Sequence, residues 1–153
     1  MLRFLTLSCL LALSACDAAN DKSTNREQSG SDTALAAPRP DGVDVVILEH
    51  EEGPVAVKTG QRIAVELVGV PTAGYEWAAE MTPPFLKAAG TYGGPTSTNQ
   101  LEEGFTGGHH WEAFLFDVTA SGEGELRFEQ RRPWEDASEP AMKTFSISVT
   151  AED

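Results

Sequence analysis

The side chains best able to do chemistry in this 153-residue chain are three histidines, two cysteines and 24 carboxylates. His109 and His110 are adjacent, so on a strand they would point to opposite faces. On a loop both could reach one metal ion, but the remaining ligands would have to come from unremarkable carboxylates. A histidine pair among glycines reads as solvated polar surface, and no metal site is expected. No serine stands in a Gly-x-Ser-x-Gly elbow, and there is neither a phosphate loop nor a dinucleotide fingerprint. Glu51-Glu52, Glu102-Glu103 and Glu135-Asp136 could serve glycoside hydrolysis. With 20 acids against seven bases in residues 41–153, however, such pairs arise by chance. Catalysis therefore has no positive support, and no cofactor is expected.

Recognition has better support, because three loops carry unusual residues. Val70-Pro71-Thr72-Ala73-Gly74-Tyr75-Glu76-Trp77 is short and stiff: Pro71 fixes its own φ and Gly74 permits a positive one. Gly104-Phe105-Thr106-Gly107-Gly108-His109-His110-Trp111 places an apolar Phe105 where a plain turn would be polar. Arg131-Arg132-Pro133-Trp134-Glu135 holds a cation and an indole together through proline. An exposed Trp beside Arg on a rigid scaffold has the chemistry of an interface anchor. Each loop also has a plain reading, as a tight turn, a hairpin connection and a Trp folded back on the core.

The elements that must position these loops read as β-strands. Period-two alternation dominates from residue 43. Val43–Glu49 and Val55–Thr59 form a first strand interrupted at Glu51-Glu52-Gly53-Pro54, followed by Arg62–Val68, Tyr75–Ala79, Trp111–Val118, Gly124–Glu129 and Lys143–Val149. Helical periodicity is absent from every window of a dozen residues. Gly and Pro punctuate the gaps, as at Pro83-Pro84 and Gly93-Gly94-Pro95. About seven short strands separated by turns predict an all-β protein, an Ig-like β-sandwich with Trp77 in its core. In that architecture the first and third loops emerge at one end and the second beside them.

The chain divides into three parts. Residues 1–15, with Arg3 ahead of a short apolar run, form a secretory signal peptide. Leu13-Ser14-Ala15-Cys16 resembles the lipobox of bacterial lipoproteins, which implies cleavage before Cys16, acylation of its thiol and a lipid-anchored, periplasm-facing protein of the cell envelope. Asp17 resembles the inner-membrane retention signal of some lipoproteins. Cys9 leaves with the leader, so no free thiol remains for catalysis, redox or metal binding. Residues 16–40 are small and polar, with Leu35 the sole large aliphatic among them, and read as a tether. The domain, residues 41–153, carries the whole net charge of −13. That charge excludes nucleic acid as a partner and electrostatic attraction to an anionic membrane. A monomer is expected.

The loops together resemble the chagasin-type inhibitors of papain-like cysteine peptidases. That family is marked by Asn-Pro-Thr-Thr-Gly-Tyr/Phe with a Trp two residues on, by Gly-x-Gly-Gly, and by Arg-Pro-Trp. Val70-Pro71-Thr72-Ala73-Gly74-Tyr75 followed by Trp77, Phe105-Thr106-Gly107-Gly108, and Arg132-Pro133-Trp134 match these in order. Tyr92-Gly93-Gly94 is a rival for the second motif. The resemblance spans residues 43–151. It implies that Thr72 is set against the catalytic Cys-His pair of a peptidase. It also implies that Thr106, Gly107 and Gly108 lie along the unprimed side of the cleft, and that Arg132, Pro133 and Trp134 pack on the primed side. Val70, Ala73 and Phe105 depart from the pattern, and imply altered affinity or target range. The alternative is an envelope adhesion or assembly module that uses the same fold as a spacer.

Overall fold

The computed structural model describes residues 32–136 and 138–153. The leader, Cys16 and most of the expected tether lie outside the described residues. Eight strands form two four-stranded sheets. One contains β1 (Val45–Leu48), β3 (Arg62–Gly69), β6 (His110–Val118) and β5 (Leu86–Pro95), in the order β1-β3-β6-β5. The other contains β2 (Val55–Lys58), β8 (Lys143–Glu152), β7 (Gly122–Arg131) and β4 (Glu76–Met81), in the order β2-β8-β7-β4. Among the described residues no helix is long and apolar enough to cross a membrane.

The inward faces follow from alternation. Ile63, Val65 and Leu67 of β3 meet Leu126 and Phe128 of β7 and Phe145, Ile147 and Val149 of β8 in an apolar core. Phe128 sits at its centre, with ring centroids of Phe114, Phe116 and Phe145 at 4.9, 6.2 and 6.4 Å. Trp77 is buried as expected, and its Nε1 donates to the Val68 carbonyl at 3.1 Å. That bond stitches β4 to the end of β3, in the opposite sheet.

Three features correct the sequence expectations. The interrupted first strand is two strands in different sheets: β1 pairs parallel with β3, and β2 pairs parallel with β8. The Gly53-Pro54 break is where the chain crosses the sandwich. Leu86–Pro95, read as a punctuated gap, is an edge strand paired with β6 along its length, with an irregularity between Ala88 and Gly90. It shows little apolar alternation because most of its residues are exposed. Residues 33–39, expected in the tether, are held by hydrogen bonds to the β5–β6 connection and to β3. There Arg39 chelates the buried carboxylate of Glu66 at 2.5 and 3.1 Å.

Strand register places all three loops at one end. The last residue of β3, Gly69, pairs with the first of β6, His110, which in turn pairs with the last of β5, Pro95. In the facing sheet the start of β4, Glu76, pairs with the end of β7, Arg131, whose neighbour Gln130 pairs with Lys143 at the start of β8. The β3–β4, β5–β6 and β7–β8 connections therefore leave the sandwich together.

Candidate functional site

The β3–β4 loop is a single turn of 3₁₀ helix, Pro71–Ala73. Ala73 N–H donates to Val70 O at 2.9 Å and Gly74 N–H to Pro71 O at 2.8 Å, so the backbone bonds of the wedge are internal. Proline opens the turn and Gly74, at φ +80°, closes it in the left-handed region. Pro71, Thr72 and Ala73 are exposed, while Gly74 and Tyr75 are half-buried.

The β7–β8 loop is locked to this turn. Arg132 Nε donates to the Ala73 carbonyl at 3.1 Å. Its guanidinium lies 4.3 Å from the centroid of the Tyr75 ring, and a third contact joins it to Glu135 at 3.1 Å. The Trp134 ring sits over Gly74 so closely that a Cβ there would fall 2.3 Å from Cη2. Gly74 is thus required twice, by its backbone angle and by the indole above it. Even so, Trp134 remains 72% exposed. Arg132 braces two loops and is not a free cation. Farther along, the Glu129 carboxylate is held below the usual range, chiefly by its hydrogen bond from Arg131. Arg131 also donates to the Glu139 carbonyl, tying down the far limb of the loop.

The β5–β6 connection begins with a 3₁₀ turn, Thr98–Leu101, and continues through the glycine-rich segment 102–109. Gly104, Gly107 and Gly108 all adopt positive φ. Phe105 is 45% exposed, with its ring edge toward Gly108. Gln100 staples the base: its Oε1 accepts from Thr96 N and Ser97 N at 2.6 and 3.0 Å, and its Nε2 donates to the His109 carbonyl at 2.7 Å. Sequence reasoning missed Gln100, although Ser97-x-x-Gln100 is a capping-box pattern. Tyr92, Gly93 and Gly94 pair with Ala113, Glu112 and Trp111 inside β5, which removes them as a rival for this loop. The register brings this loop to the same end as the other two, but among the described residues its hydrogen bonds run to residues 96–100 and not to them.

Beneath the loops the apolar core gives way to a polar plug. Glu112 Oε2 accepts the Trp77 N–H at 2.9 Å, and Oε1 presses on Gly69, where a Cβ would fall 1.7 Å away. Burial pushes the Glu112 carboxyl up; the Trp77 N–H opposes this, and the Glu76 charge adds to it. Gln130 is fully buried alongside, and neither its amide atoms nor Glu112 Oε1 have a protein hydrogen-bond partner among the described residues.

Chemically, this end is suited to contact. Among the described residues, four of the six large hydrophobics left exposed, Leu101, Phe105, Trp134 and Met142, lie on these connections. Such clustering on neighbouring loops marks an interaction surface. No group of three or more His, Cys, Asp or Glu that could hold a metal ion occurs among the described residues. His109 is exposed, and His110 begins β6.

Comparison with known proteins gives a consistent picture. Residues 56–149 match the model of a family described as "Chagasin family peptidase inhibitor I42". No curated protein matches the chain significantly. Among solved structures, a cysteine protease inhibitor from Entamoeba histolytica, EhICP2, is similar with a TM-score of 0.58 at 14% identity, over 71% of this chain and 95% of that one. Amebosin is similar with a TM-score of 0.54 at 22% identity, over 71% and 97%. At these identities the likeness is one of fold.

Proposed function

This chain belongs to the chagasin family of peptidase inhibitors, and from that premise we propose that it blocks papain-like cysteine peptidases by filling their active-site cleft with its three loops. The observation that carries the reading is the locked pair of loops, Trp134 seated on Gly74 and Arg132 bonded to Ala73. Thr72 stands on the exposed crest of the turn and is the residue directed at the catalytic Cys-His pair. The exposed Trp134 packs on the primed side of the cleft, with Pro133 and Arg132 holding it. Thr106, Gly107 and Gly108 lie along the unprimed side as a narrow segment with no bulky side chain.

A wedge whose backbone bonds are already satisfied loses little conformational entropy on docking, so a modest contact patch can bind tightly. No scissile peptide is presented to the nucleophile, so the inhibitor survives the encounter. The excess of acids in residues 41–153 favours a peptidase with basic residues around its cleft.

The proposal extends to location. Leu13-Ser14-Ala15-Cys16 supports acylation of Cys16 and a lipid-anchored protein facing the periplasm, with Asp17 favouring the inner membrane. The chain from residue 16 onward, made as Cys16→Ser, should abolish peptide hydrolysis by papain at sub-micromolar concentration. Undiminished hydrolysis with the inhibitor at tens of micromolar, tried on several papain-like enzymes, refutes the inhibitory reading. Acyl chains found by mass on the full-length Cys16→Ser protein, made with its leader 1–15, refute lipidation at that residue.

A further inference from the structure

Residues 33–39 precede the sandwich and have no part in the three-loop mechanism, yet they are firmly attached. Thr98 N–H donates to Thr33 O at 2.9 Å, and Thr33 N–H donates to Thr98 Oγ1 at 3.0 Å. Ala34 bridges Ser97 in antiparallel fashion, and Leu35 N–H donates to Thr96 O at 2.8 Å. Trp111, the second residue of β6, donates its indole N–H to Leu35 O at 2.8 Å. Pro38 then packs on Gly94, Ala37 is buried, and Arg39 closes on Glu66 halfway along β3. The segment thus runs from the loop end down the outer face of the β1-β3-β6-β5 sheet.

Its attachment points are the roots of the glycine-rich loop. Thr96, Ser97 and Thr98 are bonded by residues 33–35 on one side, and Thr96 and Ser97 by Gln100 on the other. Trp111 lies two residues beyond His109, whose carbonyl accepts from both Gln100 Nε2 and Thr96 Oγ1. The loop between these roots has little of its own to hold it. Within residues 102–109, Phe105 N–H to Glu102 O at 3.2 Å is the one backbone–backbone bond among the described residues, and Gly104 and Gly107 meet nothing where a side chain would begin. Glycines at positive φ leave a loop many alternative conformations unless its ends are fixed.

We propose that Thr33–Arg39 is a strap that holds the loop at 102–109 in the position from which it binds a peptidase, with Trp111 and Thr98 as its positioning residues. The strap makes no contact with the target itself; it removes loop conformations that docking would otherwise have to suppress. This inference rests on the inhibitory reading of the same loop.

The test is a double-mutant cycle on the Cys16→Ser chain from residue 16 onward, measured against papain. Trp111→Phe keeps the aromatic cover and deletes the donor to Leu35; Thr98→Val deletes the acceptor for Thr33. Each should raise the inhibition constant about tenfold when loop 102–109 is intact. Added to a chain from which residues 103–107 are deleted, each should raise it no further than about twofold, because the loop that the strap holds is absent. Equal losses in both backgrounds, or no loss in either, overturn the strap. If the parent chain does not inhibit at all, the inhibitory reading fails first. Amide exchange then decides the strap separately: amides of residues 102–109 should exchange faster in Trp111→Phe than in the parent, and unchanged rates overturn it.

Discussion

Gly74→Ala tests the locked wedge directly. Gly74 sits at φ +80°, where an L-residue costs about 1–2 kcal/mol. The new methyl would also start 2.3 Å from Trp134 Cη2 and 2.9 Å from Cζ2, well inside contact distance. Something must move, and the indole is the part that can, because it is 72% exposed and holds no core position. The fold should survive with only the backbone penalty, a fall in melting temperature of roughly 3–6 °C per kcal/mol at this size. Inhibition should suffer far more. An indole displaced from a prearranged seat forfeits a hot-spot contact of about 2 kcal/mol, which is a rise of roughly thirtyfold in the inhibition constant. Gly60→Ala supplies the control. Gly60 has φ +91°, meets nothing within 4 Å of a new Cβ, and sits beside Val118 at the opposite end of the sandwich. Thermal melts and papain progress curves on the two variants should give similar losses of stability, with a loss of inhibition only for Gly74→Ala. If Gly74→Ala melts lower but inhibits within about twofold of the parent, the seating of Trp134 on Gly74 has no part in binding.

Three further outcomes are expected. Trp134→Ala should weaken papain inhibition by about 2 kcal/mol or more while leaving the melting temperature nearly unchanged, since the ring is exposed; an unaltered inhibition constant removes it from the interface. Arg39→Met should destabilise the domain by about 2–3 kcal/mol in urea unfolding, less than for a wholly buried pair because Arg39 is 41% exposed while Glu66 is left at 3% without its partner. Adding Glu66→Met should recover most of that loss. For Glu112 the folded state holds the proton more tightly than the unfolded chain, so its contribution to stability is present below the ordinary glutamate value and is lost as pH rises through the raised one. Urea midpoints measured across that window should fall less with rising pH in Glu112→Gln than in the parent. Asp117, lowered by its hydrogen bond from Arg62, acts in the opposite sense and at lower pH, losing its contribution as pH falls.

Much of this was legible along the chain because the physical signals are local. A strand buried on one face writes its period into Arg62–Val68 and Lys143–Val149 wherever the partner strand lies. A strand exposed along most of its length writes none, and so Leu86–Pro95 passed for turns. The break at Gly53-Pro54 was visible, but not that β1 and β2 belong to different sheets, because a turn residue carries no information about which neighbour the chain meets next. Leu35 and Ala37 lie in a stretch too polar to promise a core, and only the face of a sheet nearby makes it worthwhile to bury Ala37 and half-bury Leu35.

The sequence by itself determined the all-β class, the buried Trp77, the stiff turn at Pro71–Gly74 and the loop residues able to form an interface. Each of these follows from side-chain alternation or from the dihedral limits of proline and glycine, which act within a few residues. The tertiary structure alone decided that Arg132 is a brace, that Trp134 and Gly74 share one small volume, that Glu112 is a half-buried acid, and that residues 33–39 strap the base of a loop more than sixty positions away in the chain. These are matters of which groups exclude water from one another. Burial of that kind depends on strands brought together across the sandwich, and no pattern confined to one segment encodes it.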